Sequence, residues 1–196
     1  MTLLTAANDR RWMMSTQFPV EIEKIYISSG HDFKGRFGQE PLTHATPGVE
    51  VAECIAGKGI KGDRYYGHAD NYKGQITFID RATINEVARH LHVDSVDPKL
   101  FRRNVVIHGI DLNQLIGHYF RIGSALLYGT EECSPCFWMD DTIGEGTLET
   151  MQGRGGLRCR IVESGDITVG PANLDVMDED ETAWLDDEMA PGASGG

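Results

Sequence analysis

The chain has 196 residues, of which 40% are hydrophobic, and a formal net charge of −12. This length suits one domain with a single buried core, and no apolar run is long enough to cross a bilayer. Residues 1–18 contain Arg10 and Arg11, but Asp9 and the scattered apolar residues argue against a secretory signal peptide. Four cysteines do not make a disulfide framework at this length, so we predict a protein of the reducing cytoplasm.

Alternating apolar and polar residues predict a mostly β fold. The alternation begins at Val20–Glu23 and then slips phase into Ile25–Ile27, as in a bulged strand. Many short strands with few helices favour a β-barrel or a strongly bent sheet, and the 23 glycines fit sharp corners in such a barrel. Further strands are predicted at Val49–Val51, Ile76–Ile79, Val105–Ile107, Tyr119–Ile122, Ala125–Tyr128, Leu157–Val162 and Ile167–Val169.

Apolar residues at helical spacing predict one clear helix, from about Ala82 to His92. Thr83 and Glu86 have the spacing of a capping box at its start. Asp97 and Asp111 each occupy the position of an N-cap before a short helix. We therefore expect helices to be few and mostly short.

The glycine- and lysine-rich segment Gly57–Arg64 has the composition of a phosphate-binding loop. It is not a P-loop, because the Gly-Lys-Ser/Thr ending and a following helix are both missing. It could still bind an anion through its backbone amides and Arg64. The alternative is a tight turn in which Asp63 and Arg64 pair with neighbouring groups.

The segment Phe101–Asn104 places two guanidiniums and an amide just before an apolar run. A guanidinium can bind a phosphate through two parallel hydrogen bonds, and an amide both donates and accepts. We interpret Arg102 and Asn104 as ligand-binding residues. Arg103 is expected to lie on the surface, where its replacement by lysine would be nearly silent.

The pair Cys133 and Cys136 follows a predicted strand, and Pro135 restricts the backbone just before Cys136. A structural zinc site would need a second ligand pair, and Cys54 and Cys159 are isolated in the sequence. A thioredoxin-like redox pair would begin a helix, whereas the segment that follows has little helical character. A soft-metal ligand, a sulfur carrier and two ordinary loop cysteines stay open as interpretations.

Arg154, Arg158 and Arg160 form a further group of basic residues. Alternation along a strand places Arg158 and Arg160 on the same face. We interpret this group as a solvated face.

The segment 175–196 carries eight carboxylates and no lysine or arginine, so it contributes most of the net charge of −12. This composition predicts a disordered acidic tail. All 18 basic residues precede it, where a small net charge permits a local anion site but gives no support for a nucleic-acid-binding face. The predicted organisation is an N-terminal extension over residues 1–18, a barrel domain over residues 19–174 and this tail.

The order and spacing of these motifs resemble the MOSC family, named after the C-terminal domain of molybdenum cofactor sulfurase. The likeness runs from about Val20 to Pro171 and is closest to the small stand-alone members. His68 follows where such members often carry a histidine, although its spacing is shifted. The resemblance implies a mostly β, pyruvate-kinase-β-barrel-like MOSC barrel with a few short helices. It is carried by Lys61–Arg64, Gln75–Asp80, Phe101–Val106, Asp111–Leu112, Phe120–Gly123, Pro135–Cys136, Gly155–Arg160 and Val169–Gly170.

The resemblance also implies that the domain binds molybdenum cofactor. Cys136 is the expected molybdenum ligand, because it matches the second cysteine of the pair in members that hold the cofactor. Arg102 and Asn104 match an Arg-x-Asn motif of the reductase branch, in which the position of Ser134 also contacts the cofactor. Arg64 is the third side chain expected to bind the pterin phosphate.

The reaction implied by this resemblance is the two-electron reduction of N-hydroxylated small molecules. Electrons are expected from a separate donor protein, because the sequence lacks cysteines arranged for an iron–sulfur cluster and a dinucleotide fingerprint. In a first alternative, Cys136 carries a persulfide from a desulfurase to an acceptor. In a second, the barrel is a cofactor-free binding or adaptor domain whose acidic tail binds a partner. No membrane or nucleic acid is expected as a partner.

Overall fold

A computed structural model describes residues 16–178 except residues 34, 35, 37, 38 and 70. Most of the predicted N-terminal extension and of the predicted acidic tail lies outside the described residues. None of the described helices is long and apolar enough to span a bilayer.

The described residues form a closed barrel of seven strands in the order β11-β7-β8-β9-β5-β6-β1, which closes because β11 also pairs with β1. The short strand β2 pairs with β1, and β10, β3 and β4 form a second small sheet. This architecture confirms the predicted mostly β barrel. The strands are β1 Thr16–Tyr26, β2 Gly48–Val49, β3 Val51–Ile55, β4 Gly59–Ile60, β5 Ile76–Asp80, β6 Val105–His108, β7 Tyr119–Ile122, β8 Ala125–Glu132, β9 Leu157–Glu163, β10 Gly165–Thr168 and β11 Gly170–Val176.

The slip in alternation along β1 is a real irregularity of the strand. The pairing of β1 with β6 shifts register between Ile22 and Lys24, as predicted for a bulge. The shift lets both Ile22 and Ile25 point into the core, where each is fully buried. One strand can therefore pair with β11 along its first part and with β6 along its second.

The helices are short and lie around the barrel. They are α1 Arg81–His90, α2 Trp138–Thr142 and α3 Thr147–Thr150, with 3₁₀ turns at Pro98–Phe101 and Leu112–Leu115. The start of α1 differs from the prediction, since the Asp80 side chain caps the helix by accepting from the Ala82 amide. Thr83 instead donates its hydroxyl proton to the Arg154 carbonyl, so the predicted capping box does not form.

Asp97 and Asp111 cap the two 3₁₀ turns as predicted. Their side chains accept from the amides of Lys99 and Asn113, at 3.1 and 3.0 Å. The turn that begins at Asp97 ends at Arg102, whose backbone is left-handed with φ 59°. This turn fixes the direction in which the chain enters β6.

Alternate strand residues fill the barrel with aliphatic and aromatic side chains, among them Phe78 and Phe120, whose ring centroids are 6.3 Å apart. Cys54 and Cys159 belong to this core. Burial raises the pKa of the Cys54 thiol to about 12 and raises the pKa of Cys159 well above its ordinary value. Both thiols are therefore neutral at physiological pH and pack within the core.

Candidate functional site

Four neighbouring barrel strands, β8, β9, β5 and β6, bring the sequence motifs together. Glu132 at the end of β8 lies opposite Leu157 at the start of β9, and Arg158 lies opposite Thr77 of β5. Strand β5 runs parallel to β6, which begins directly after Asn104. The Cys-x-x-Cys loop and the Arg-Arg-Asn segment therefore meet at one end of the barrel although they are far apart in sequence.

A cavity of about 330 Å³ opens at this end of the barrel. Its volume falls within the range of small-molecule sites, about 300–1,000 Å³. Among the described residues that line it, one is a carboxylate, Asp32, and four are arginines: Arg64, Arg102, Arg103 and Arg158. The cavity is thus positively charged within a chain whose net charge is −12, which favours an anionic or phosphate-bearing ligand.

Arg102 lines this cavity, and its side chain is fixed by the loop that follows β1. Its guanidinium forms an ion pair with the Asp32 carboxylate and donates from Nη2 to the Gly30 carbonyl at 3.3 Å. The guanidinium also lies over the Phe33 ring, 5.3 Å from the centroid. Burial and then the nearby Arg64 lower the pKa of Arg102, while Asp32 acts in the opposite direction.

Asp32 was not predicted from the sequence, and it is the residue that holds Arg102. Its Oδ1 accepts from the backbone amide of His44 at 2.9 Å and lies 2.7 Å from His44 Nδ1. Burial alone would raise the pKa of Asp32, but the hydrogen bonds from His44 and the charge of Arg102 bring it below its ordinary value. The carboxylate is therefore ionised, and the pair with Arg102 is an ion pair at neutral pH.

Arg64 lines the cavity from a tight turn in which it pairs with Asp63, as one of the two interpretations of this segment predicted. Asp63 is buried, and its carboxylate accepts from the amides of Ser28 at 3.2 Å and Tyr65 at 3.1 Å. The Nη1 atom of Arg64 lies 3.5 Å from this carboxylate, and Nη2 donates to the Arg102 carbonyl at 3.4 Å. The turn therefore aligns Arg64 beside Arg102.

Asn104 lies behind the cavity wall instead of on it. Its Oδ1 accepts from Thr77 N at 3.1 Å and from Thr77 Oγ1 at 2.9 Å. Its Nδ2 donates to the Tyr26 carbonyl and to Asp63 Oδ2, each at 3.2 Å. All four hydrogen-bonding positions of the amide are used within the protein. The contacts support a positioning role for Asn104 rather than direct contact with a ligand.

The expectation of a surface position for Arg103 is wrong. Only 7% of the residue is exposed, and its guanidinium donates to the carbonyls of Gly155 at 2.9 Å, Phe101 at 2.7 Å and Cys133 at 2.6 Å. Sequence reasoning missed this because two of the three acceptors, the carbonyls of Cys133 and Gly155, come from segments 30 and 52 residues away. Arg103 ties the Arg-Arg-Asn segment to the Cys-x-x-Cys loop.

The glycine pair Gly155–Gly156 allows the start of β9 to approach this loop. The amide of Cys133 donates to the Gly156 carbonyl at 2.7 Å. A Cβ atom on Gly155 would clash with the Cys133 carbonyl, and one on Gly156 would clash with the Phe78 carbonyl. The φ of +111° at Gly156 also favours glycine. The Cys133 backbone is therefore held through its amide, which donates to Gly156, and through its carbonyl, which accepts from Arg103.

Cys136, Ser134 and Cys133 all line the cavity. Cys136 and Ser134 are exposed, whereas Cys133 is only 7% exposed. The Cys136 carbonyl accepts from the Met139 amide at 2.9 Å, at the start of the five-residue helix α2 that the sequence analysis did not predict. Trp138 of this helix packs on Phe33 with ring centroids 4.8 Å apart. Cys136 thus presents an accessible thiol on a wall that is fixed by packing.

A group of aromatic rings forms another part of the wall. Tyr65 stacks on Tyr72 with centroids 5.2 Å apart, and His31 meets Tyr65 edge-on at 4.8 Å. His68 packs against Tyr72 at 5.0 Å but is not among the residues that line the cavity. His68 therefore supports the wall, while Tyr65 and Tyr72 offer stacked planar surfaces to a ligand.

The interpretation of Arg158 as part of a solvated face is also wrong. Arg158 and Arg160 share a face of β9, as predicted, but Arg158 lines the cavity, whereas Arg160 lies over the Tyr128 ring at 5.1 Å. Strand alternation places both side chains on the same face. It cannot predict which of the two lies at the cavity, because that depends on residues distant in sequence. Among the described residues, no three His, Cys, Asp or Glu side chains are grouped to hold a metal ion.

The described residues form a β-barrel with a positively charged cavity beside an exposed thiol. The MOSC domain family model matches residues 61–172, more than half of the chain. The chain therefore belongs to the MOSC domain family, which is associated with molybdenum cofactor binding. No curated protein matches the sequence.

Several solved structures share the fold. The YuaD protein of Bacillus subtilis has a TM-score of 0.65 and 19% identity, over 84% of this chain and 100% of that one. YiiM from Geobacillus stearothermophilus has a TM-score of 0.58 and 15% identity, over 82% of this chain and 76% of that one. YiiM from Escherichia coli has a TM-score of 0.54 and 18% identity, over 83% and 70% of the two chains. At these identities the likeness shows the fold alone.

Proposed function

We propose that this protein binds molybdenum cofactor in the cavity through Cys136 and reduces N-hydroxylated small molecules with electrons from a separate donor protein. The observation that carries the proposal is the exposed Cys136 thiol on the wall of a positively charged cavity. Family membership supports the cofactor. The type of substrate follows from the resemblance to the reductase branch.

The residues present fit this cofactor. A soft metal such as molybdenum favours a sulfur ligand, and Cys136 supplies an accessible thiol. A phosphate favours guanidinium groups, and Arg64 and Arg102 lie side by side on the wall. A flat pterin favours aromatic surfaces, which Tyr65 and Tyr72 provide.

Each residue has a separate part in the proposed reaction. When bound, the cofactor would supply the two-electron redox chemistry. Cys136 provides the thiolate, the Ser134 hydroxyl lies on the same wall, and the ion pair with Asp32 holds Arg102 in place. Reduction of an N-hydroxyl group to an N–H group consumes two electrons and two protons and releases water.

Replacing Arg102 by lysine is expected to weaken retention of the cofactor at least about tenfold, although the charge is kept. An ammonium group cannot reproduce the planar guanidinium fork, and a hydrogen bond to a charged group contributes about 1.5–3 kcal/mol. The measurement is molybdenum content per protein after dialysis, with protein expressed in a host that makes the cofactor.

The matched control is Arg121→Lys, because Arg121 pairs with Glu163 at a half-exposed site outside the cavity lining. This variant is expected to keep its molybdenum. Equal retention by both variants would mean that Arg102 only anchors its loop, and the phosphate would then need another site.

A persulfide carrier is the second candidate, because the same accessible thiol could hold sulfur in place of a metal. After incubation with a desulfurase and cysteine, mass spectrometry is expected to show little persulfide on Cys136 of the cofactor-loaded protein. A stable sulfur adduct on Cys136, together with no viologen-driven reduction of an amidoxime, would favour the carrier. Absence of both activities would favour the adaptor alternative.

A further inference from the structure

We propose that Arg158, together with the Tyr72 hydroxyl, forms a second oxyanion-binding subsite in the cavity, which binds an acidic group of the substrate. The proposal deepens the proposed function and rests on it for the reaction. The main support for the proposal is the distribution of charged partners around the four cavity arginines.

Three of the four cavity arginines already have acceptors within the protein. Arg102 is paired with the Asp32 carboxylate, and Arg103 donates to three backbone carbonyls. Arg64 lies 3.5 Å from the carboxylate of Asp63. Arg102 and Arg64 thus each have one buried carboxylate partner, and both guanidiniums still line the cavity.

Arg158 is only partly balanced. Its nearest carboxylate oxygen is Glu131 Oε1, 3.6 Å from Arg158 Nε, and the other oxygen of Glu131 binds Lys73 Nζ at 2.8 Å. One carboxylate therefore serves two cations. Within the part of the chain that the structure describes, the buried Nε atoms of Arg158 and Arg160 both have no hydrogen-bond partner, but Arg158 also lines the cavity whereas Arg160 does not. The Arg158 side chain is 29% exposed, which is enough for contact with a ligand.

Strand pairing fixes the backbone from which the Arg158 side chain extends. Arg158 lies opposite both Thr77 of β5 and Glu131 of β8, so strands on both sides pair with it. The hydroxyl of Thr130 also donates to the Arg158 carbonyl at 2.9 Å. The backbone at Arg158 therefore needs no further ordering when a ligand binds.

Tyr72 lines the cavity together with Arg158, and its hydroxyl also forms a hydrogen bond with Tyr65. Burial and then Tyr65 raise the pKa of Tyr72, although Arg158 acts in the opposite direction. Tyr72 therefore keeps its proton at neutral pH and can donate to an oxyanion. Burial alone would lower the pKa of Arg158, but Cys133, Tyr72 and Glu131 raise it above its ordinary value, so the guanidinium stays charged.

The subsite is distinct from the Arg64–Arg102 pair. Arg64 donates to the Arg102 carbonyl, whereas the charges and hydrogen-bonding groups around Arg158 are those of Cys133, Tyr72 and Glu131. An oxyanion in the cavity has two possible sources, the phosphate of the cofactor and an acidic group of the substrate. We assign the phosphate to Arg64 and Arg102 and a substrate carboxylate to Arg158.

The direct test uses the cofactor-free protein and benzoate as the probe, with binding measured by calorimetric titration. Arg158→Gln is expected to bind benzoate at least about tenfold more weakly than the unmodified protein, since it loses a charge-assisted fork. Arg160→Gln is the matched control on the same strand face, outside the cavity lining, and is expected to bind benzoate as the unmodified protein does. Equal affinities for all three proteins, or no binding of benzoate to any of them, would overturn the proposal.

A second test uses the cofactor-loaded protein with benzamidoxime and 4-carboxybenzamidoxime. Arg158→Gln is expected to raise the KM of the carboxylated compound at least about tenfold more than the KM of the uncharged one, and to keep its molybdenum. Loss of molybdenum with equal changes in both KM values would place the cofactor phosphate at Arg158 and overturn the substrate assignment. If the unmodified protein neither holds molybdenum nor turns over, the proposed function fails, and the benzoate titration still decides the role of Arg158.

Discussion

Replacing Cys136 by serine is expected to remove nearly all molybdenum from protein made in a cofactor-competent host. Cys136 presents an accessible thiol to the cavity, and a serine hydroxyl is a poor ligand for a soft metal. The folded state should change little, because an exposed side chain contributes little packing. Elemental analysis of the purified protein measures the metal, and thermal denaturation measures the fold.

Cys133→Ser is the matched comparison. Cys133 lines the same cavity but is mostly buried, so this variant is expected to keep most of its molybdenum. Two outcomes would contradict the assignment. One is zinc in place of molybdenum, lost equally in both variants. The other is equal loss of molybdenum, which would mean that both sulfurs hold the metal.

Replacing Arg103 by lysine is expected to destabilise the fold by about 3 kcal/mol or more, because hydrogen bonds from a charged donor contribute about 1.5–3 kcal/mol each. The guanidinium donates to three carbonyls that converge from different directions, and an ammonium on a flexible stem cannot satisfy all of them. Carbonyls that lose their donor would stay buried without a hydrogen bond, which destabilises the folded state further. Urea denaturation measures the change in the free energy of unfolding.

Arg89→Lys provides the control, since Arg89 is an exposed residue of α1. Its effect is expected to stay within about 0.5 kcal/mol, as is usual for surface substitutions. An equally small effect at Arg103 would mean that water replaces the guanidinium. In that case the Arg-Arg-Asn segment and the Cys-x-x-Cys loop would be held together by other contacts.

Local patterns in the sequence were sufficient for the barrel, because alternation of apolar residues depends on neighbours within one strand. The bulge in β1 and the caps at Asp97 and Asp111 were correct for the same reason. The start of α1 was misassigned because Asp80 stands directly before the helix and competes with Thr83 for the cap. Helix α2 was missed because five residues are too few for a helical period to be recognised.

The site was only partly predictable, because several of its contacts join residues that are distant in sequence. Arg102 was recognised from its local motif, but its partner Asp32 lies 70 residues earlier and has no sequence signal of its own. Arg103 was misread since a buried arginine is rare and its three acceptors are backbone carbonyls. Arg158 was misread because its neighbours come from β5 and β8.

The hydrogen bonds of Asn104 order the cavity wall in the folded protein, before any ligand binds. The amide joins the last residue of β1, strand β5 and the turn at Asp63, so the wall becomes rigid as the barrel closes. Conformational freedom of the wall is then given up during folding and does not oppose the later binding of a ligand. The affinity of the site is thus coupled to the stability of the barrel, and substitutions that loosen these strands will weaken binding without touching the ligand.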